Sequence, residues 1–298
     1  MYNIPMKKRT SLKILIIIAA VLILFCLATY IATPLLIIRP SYNSEAAKEL
    51  TLIEMEELYA EKRPLNIPLV EDITINTHLG KLTGWRLHEQ GNTYTGESDL
   101  LLYFGGYNED SSTAALRFLN QMTELDTYKG FDIAVIDWPG FGTSEGRATD
   151  NAIREASVAI CNYFSSQENV RNIYLMGYSF GTGPAVYAAS RCETEGLILL
   201  APYESAFDLY NNVTPIFYGP LKVLIPFRME TGEYAEEVSE KTLLIASKTD
   251  SRVPYSSSLA IFERFENDCE LLTLDDTEHG NLTTDPVVLN AISDYLNP

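Results

Sequence analysis

Residues 177–181 read Gly-Tyr-Ser-Phe-Gly, a serine with glycines two positions before and after it. That spacing suits a serine held in a sharp turn between a strand and a helix, because side chains at the flanking positions would stop one element passing close to the other. A hydroxyl so placed is a candidate nucleophile for acyl transfer, but it is inert at neutral pH without a base to take its proton. In a chain with 17 Gly the pattern is short enough to arise by chance, so the partners decide. The chain has three histidines. His78 and His88 fall in an N-terminal pair of alternating segments and read as ordinary strand or surface residues. His279, in "DDTEHGNL", follows a C-terminal apolar run and is the candidate base. Asp250, closing "TLLIASKTD", is the candidate acid that would orient the imidazole and stabilise its cation. Asp275 and Asp276 sit on His279's own segment, where proximity in the chain rarely gives that geometry. Ser179, Asp250, His279 is also the chain order that accompanies a serine of this strand–turn–helix kind.

These side chains need a scaffold. "NIYLM" before Ser179 reads as a strand, and "GTGPAVYAASRC" after it as a helix with Gly181, Gly183, Ala185, Ala188 and Ala189 along one side. The same rhythm runs through the body. "LVEDITINT" and "KLTGWRLHEQ" alternate like an antiparallel pair. "DLLLYF", "FDIAVID", "EGLILL", "KTLLIAS" and "CELLTL" then read as strands, separated by helical stretches such as "DNAIREASVAICNYFSSQ". Apolar strands alternating with helices predict an α/β fold, a mostly parallel sheet covered on both faces. Residues 203–240 break the rhythm. Their aromatic content predicts a lid or binding wall over Ser179, with Phe217 and Leu224 as candidate contacts for an apolar substrate.

The N-terminus has a different character. From Ile14 to Ile38 the chain carries no charge for 25 residues, about 37 Å if fully helical and more than a bilayer's hydrocarbon core. Lys7, Lys8, Arg9 and Lys13 precede it, which predicts a cytoplasmic N-terminus and a body on the other side. The run is longer than the apolar stretch of a signal peptide, although a cleaved signal is the alternative reading. Pro34 is expected to kink or end the helix. The division that follows is 1–40 for the cytoplasmic N-terminus and anchor, 41–66 for an amphipathic helical linker, and 67–298 for the catalytic body with its lid at about 203–240. The lipid bilayer is thus one expected partner, through residues 14–38.

The net charge is −18. The basic residues Lys7, Lys8, Arg9, Lys13 and Arg39 precede residue 40 and no acid does, which leaves 17 of the 22 basic residues against all 40 acids in the body. Such a surface repels nucleic acid, and no nucleic-acid role is expected. The cysteines, Cys26, Cys161, Cys192 and Cys269, have no metal-binding spacing, and a serine, histidine and aspartate acting together imply neither a metal nor an organic cofactor. The cysteines read as scattered thiols, with one disulfide among the last three as the alternative. Asn212 and Asn281 begin glycosylation sequons. Nothing in the residues assigns an oligomeric state.

Taken together, "MGYSFG" around the serine, "DWPGFGTSEG" after the fourth strand, "ASKTDSRVP" at the acid and "EHGN" at the histidine resemble an α/β hydrolase from about residue 68 to the end. The N-terminal anchor and small lid are most similar to the ABHD-type and BEM-like membrane-tethered hydrolases. That resemblance implies a serine hydrolase acting on an acyl ester or thioester, with relatives among lipid esterases, lysophospholipases and acyl-thioesterases. It also implies an oxyanion hole made by the backbone N–H groups of Tyr107 and Phe180. Where relatives often carry His-Gly before the first of these donors, this chain has Gly105-Gly106. Backbone donors survive that change, although the loop's conformation is less defined by the sequence. A non-catalytic binding protein on the same scaffold, or a peptidase of the same fold, are the rival implications.

Overall fold

The computed structural model describes residues 6–33, 44–62, 70–89, 97–266 and 268–298. One helix, α1 (Met6–Ala32), precedes the body. None of its apolar window Lys13–Ala32 is buried against protein, and those 20 residues are long and apolar enough to cross a membrane. The described helix stops at Ala32, with Thr33 in the turn before Pro34, the position at which a following proline disfavours helical geometry. Residues 34–38 of the predicted span lie outside the described residues, as do Arg39 and the predicted linker positions 41–43 and 63–66. The rest of the linker is the helix α2 (Glu45–Lys62). It packs on the body: Met55 is fully buried, the Lys48 ammonium pairs with Asp72, and it lies 4.9 Å from the centre of the Trp85 ring.

The body is built on one eight-stranded sheet: β1 (Val70–Thr77), β2 (Gly80–Leu87), β3 (Ser98–Phe104), β4 (Phe131–Ile136), β5 (Val170–Tyr178), β6 (Gly196–Leu200), β7 (Thr242–Ser247) and β8 (Cys269–Leu274), in the spatial order β1-β2-β4-β3-β5-β6-β7-β8. β1 and β2 are antiparallel, β2 meets β4 antiparallel, and all later pairs are parallel. Every residue of β4, β6 and β7 is buried, as strands covered on both faces require. The cover comes from α3 (Ser111–Glu124), α4 (Asp150–Ser165), α5 (Thr182–Ala189), α6 (Ala206–Val213), α7 (Thr231–Ala235), α8 (Tyr255–Phe262) and α9 (Pro286–Leu296). α4 shows why these sequences become helices. Thr149 caps its N-terminus by accepting from Ala152 N, and Ile153, Ala156, Ile160, Cys161 and Phe164 form one buried stripe. The four cysteines are free thiols.

The far end of the sheet, where β4 begins, holds a buried polar cluster. Asp132 Oδ2 accepts from Arg86 Nη2 and Nε (2.8 and 3.1 Å) and from Ser98 Oγ (2.8 Å), and lies 2.8 Å from His88 Nδ1. Glu71 Oε2 stands 3.2 Å from His88 Nε2. Burial opposes ionisation of Asp132, but His88, Arg86 and the Ser98 hydroxyl outweigh it and hold the carboxyl below its usual range. Burial likewise opposes the His88 cation, yet its bonds to Asp132 and Glu71 leave its pKa raised. His88, read from the sequence as an ordinary strand residue, is therefore part of a structural ion network. His78 is exposed and pairs with Glu155 at 2.7 Å.

Candidate active site

The strand order reverses at β3: the chain crosses from β3 to β4 on one side and then from β4 back past β3 to β5 on the other. In open α/β sheets ligands collect beyond the carboxyl ends of the strands at such a switch point, and the segments after β3 and β5 meet there. Register places Phe104 opposite Gly177, so the Gly105–Tyr107 turn runs alongside Ser179. Ser179 itself has φ = 52°, a left-handed conformation that is rare for a residue with a side chain. The two glycines make it attainable. A Cβ on Gly177 would lie 2.6 Å from Thr182 Cα, and one on Gly181 would lie 2.0 Å from the Phe104 carbonyl oxygen. The turn closes through Thr182 Oγ1, which donates to the Ser179 carbonyl at 2.7 Å.

His279 lies in a short 3₁₀ turn after β8 (His279–Asn281), and Asp250 in the loop after β7. Although 100 and 29 residues separate the pairs, the three side chains form one line. His279 Nε2 is 2.9 Å from Ser179 Oγ, and its Nδ1 is 2.6 Å from Asp250 Oδ2. The other Asp250 oxygen accepts from the N–H groups of Arg252 (2.7 Å) and Val253 (2.8 Å), which orients the buried carboxylate. Asn212, the first residue of a sequon, donates its amide to the carbonyls of Ser251 and Arg252 and so steadies the same loop. The histidine loop is tied down by Thr277 Oγ1, which donates to Asp285, the cap of α9, and by Gln121 Nε2, which donates to the Thr283 carbonyl.

Several positioning residues are not evident from the sequence. The Tyr178 ring stacks on His279 with centres 5.2 Å apart, and its hydroxyl donates to the His279 carbonyl at 2.9 Å. Tyr203 OH donates to the Phe180 carbonyl at 3.1 Å. Glu109 organises the turn after β3: its Oε2 accepts from Tyr103 OH at 2.7 Å and from Gly106 N at 3.1 Å, while Oε1 accepts from Arg117 at 3.0 Å. These bonds hold the Gly105-Gly106 turn in place. In the sequence only the nearness of Glu109 to the double glycine is visible; its partners come from a strand and a helix.

A cavity of ≈ 630 Å³ opens at Ser179 and His279, lined also by Tyr107, Phe180, Leu209 and Val213. The two expected oxyanion donors, Tyr107 and Phe180, thus both border it. Phe217 and Leu224 do not line this cavity, which corrects the expected substrate contacts. Phe217 is buried with its ring 5.9 Å from that of Tyr210, its backbone held by Asn211; Leu224 is buried and its carbonyl accepts from Thr33. The predicted lid supplies Leu209 and Val213 instead, one helical turn apart on α6, because the i, i+4 face of that helix points into the cavity. That spacing is present in "LYNNV" but is masked by the aromatic residues around it. Among the described residues, no group of three or more His, Cys, Asp or Glu side chains converges as a metal site.

A family model described as the α/β hydrolase fold matches residues 100–215. Human protein ABHD12B is 22% identical over 196 residues, which is 56% of this chain and 53% of that protein. Human alpha/beta hydrolase domain-containing protein 17B is 24% identical over 161 residues, 49% of each. The chain therefore matches about half the length of these curated relatives. Among solved structures, the Pyrococcus furiosus esterase Pf2001 superposes with a TM-score of 0.61 at 18% identity, covering 77% of this chain and 92% of that one. Est1E from Butyrivibrio proteoclasticus, with ferulic acid bound, gives 0.58 at 20% identity, over 75% and 97%. At these identities the structural likeness is one of fold. The sheet order, the family match and the structural likenesses together define the class: the chain has the α/β-hydrolase fold.

Proposed function

We propose that the chain is a serine hydrolase that cleaves acyl esters or thioesters. The observation that carries this reading is the unbroken hydrogen-bonded line Ser179–His279–Asp250 at the floor of an accessible cavity. Ser179 Oγ attacks the acyl carbonyl while His279 Nε2 takes its proton, and Asp250 holds the imidazole and balances its charge. The N–H groups of Tyr107 and Phe180 bind the developing oxyanion. His279 then gives the proton to the leaving alcohol or thiol, and the acyl group stays on Ser179. Water, deprotonated by His279, releases the acid and restores the hydroxyl. A fluorophosphonate probe should label Ser179 covalently, and absence of labelling on folded protein would rule the reading out.

The apolar side of the cavity wall, Phe180, Leu209, Val213 and Val253, supports a medium- or long-chain acyl group of a lipid-like ester, since each buried methylene contributes about 0.8 kcal/mol. Across a series from acetyl to octanoyl p-nitrophenyl esters, kcat/KM is expected to rise, and Leu209→Ala should flatten the rise. A preference for acetyl esters that Leu209→Ala leaves unchanged would remove the acyl-chain reading and leave the triad standing.

Glu109 offers a separate test. Glu109→Ala releases the Gly106 N–H and the Tyr103 hydroxyl from their shared acceptor, which frees the turn carrying Tyr107. We expect kcat to fall by about 10- to 100-fold, less than or similar to loss of an oxyanion donor itself, with KM changing much less, because Tyr107 is the one residue of that turn in the cavity wall. A rise in KM at constant kcat would mean that the turn shapes binding rather than oxyanion geometry.

The same reading makes α1 a single membrane span, with the basic residues before it cytoplasmic and the body on the other side. Protease added to intact cells or spheroplasts should then digest the body. Digestion only after lysis would reverse the orientation.

A further inference from the structure

Where α1 ends, it touches the lid. Thr33 is buried; its hydroxyl donates to the Leu224 carbonyl at 3.1 Å, closing a contact between α1 and the 3₁₀ turn Gly219–Leu224. Thr33 directly follows the apolar window Lys13–Ala32, which at 1.5 Å per residue extends about 30 Å, the thickness of a hydrocarbon core. If that window spans the bilayer, whatever is hydrogen-bonded to Thr33 sits at the membrane–water interface. The composition of this stretch fits that depth. Residues 213–229 hold no Asp or Glu in a chain with 40 of them, and their charges are the cations Lys222 and Arg228. Ile216, Tyr218, Leu221 and Val223 are 46–64% exposed, an apolar surface without a protein cover among the described residues. Val213, equally exposed, lines the Ser179 cavity as well, so the cavity wall and the apolar surface belong to one segment.

We propose that residues 213–224 are a second bilayer contact. Ile216, Leu221 and Val223 insert at the interface, Tyr218 lies at headgroup level where amphipathic rings are favoured, and Lys222 extends its ammonium to the depth of the lipid phosphates. The cavity mouth then opens toward lipid rather than bulk water, and an acyl substrate reaches Ser179 by sliding out of the leaflet. The proposal rests on α1 being a span, and the contact with Thr33 is what sets its depth.

The full chain reconstituted in nanodiscs tests it. In a Tyr218→Trp variant, the added emission should be quenched by phosphatidylcholine brominated on its acyl chains relative to unbrominated lipid. The parent, whose Trp85 and Trp138 are buried in the body, should not be quenched. The double variant L221D/V223D should keep its kcat/KM on a short soluble ester and lose at least about tenfold on a long-chain ester embedded in the bilayer, since one inserted aliphatic side chain alone is worth roughly that much. Carbonate extraction separates this contact from the anchor. A chain that stays in the membrane while its introduced tryptophan is unquenched overturns the contact alone. A chain released by carbonate overturns the span and the contact with it. An unquenched tryptophan in a dimer that L221D/V223D dissociates assigns the surface to a second copy and likewise overturns the proposal.

Discussion

Ser179→Ala is expected to lower kcat on a p-nitrophenyl ester by roughly 10⁴- to 10⁶-fold, the range found when a member of such a triad is removed. Alanine deletes Oγ and leaves His279 and Asp250 in their 2.6 Å contact, so the loss reports chemistry rather than folding. Asp250→Asn should cost about 10⁴-fold by a different route. Asp250 Oδ2 accepts from His279 Nδ1, while Oδ1 is occupied by the Arg252 and Val253 N–H groups. With Oδ1 so held, an asparagine turns its NH₂ toward the ring. The imidazole must then accept at Nδ1 and carry its proton at Nε2, where it can no longer take one from Ser179. The double variant should be little worse than Ser179→Ala, because the three groups act as a unit. Initial rates with fluorophosphonate labelling in parallel measure this; near-wild-type turnover by Ser179→Ala would assign the activity to another residue.

Asp132→Ala is expected to destabilise the body by about 3–5 kcal/mol, the cost of breaking a buried ion pair from one side. The side chains of Arg86, His88 and Asp132 are each 3% exposed, so solvent cannot replace the carboxylate they share. At roughly 2–4 °C per kcal/mol for a domain of this size, the thermal midpoint should drop by about 10 °C, read by circular dichroism on the full chain. The pH dependence has two signs. The depressed Asp132 pKa contributes stability above the unfolded value of about 3.8 that is lost as pH falls through the folded value. The raised His88 pKa contributes stability that is full below about pH 6.5 and lost as pH rises through the folded value. Asp132→Ala should flatten both limbs. Remaining activity per folded molecule should be unchanged, since the cluster lies at the opposite end of the sheet from Ser179. A midpoint within 2 °C of the parent, as scaled from a change of about 1 kcal/mol or less, would show that the cluster adds little net stability.

The parts of this molecule legible in the sequence are those set by local covalent geometry and periodicity. A serine forced to φ = 52° needs glycine at 177 and 181, so the turn announces itself in five residues. Strands buried on both faces must be apolar throughout, so β4, β6 and β7 were readable as runs. An uncharged stretch long enough to cross a bilayer is likewise a property of composition. With three histidines in the chain, even the partners of Ser179 could be named by elimination and order. What only the tertiary structure decided are the contacts between segments far apart in the chain. Glu109 gains its role from Tyr103 and Arg117 on a strand and a helix that converge behind the turn, and Tyr178 from a ring that arrives 101 residues later. His88 looked ordinary because its partner, Asp132, is supplied by the neighbouring strand's register. The lid shows the same limit most plainly. Their aromatic and aliphatic side chains marked Phe217 and Leu224 for the cavity, but hydrophobicity specifies burial without a direction; the orientation of α6 turned Leu209 and Val213 toward Ser179 and left Phe217 in the core.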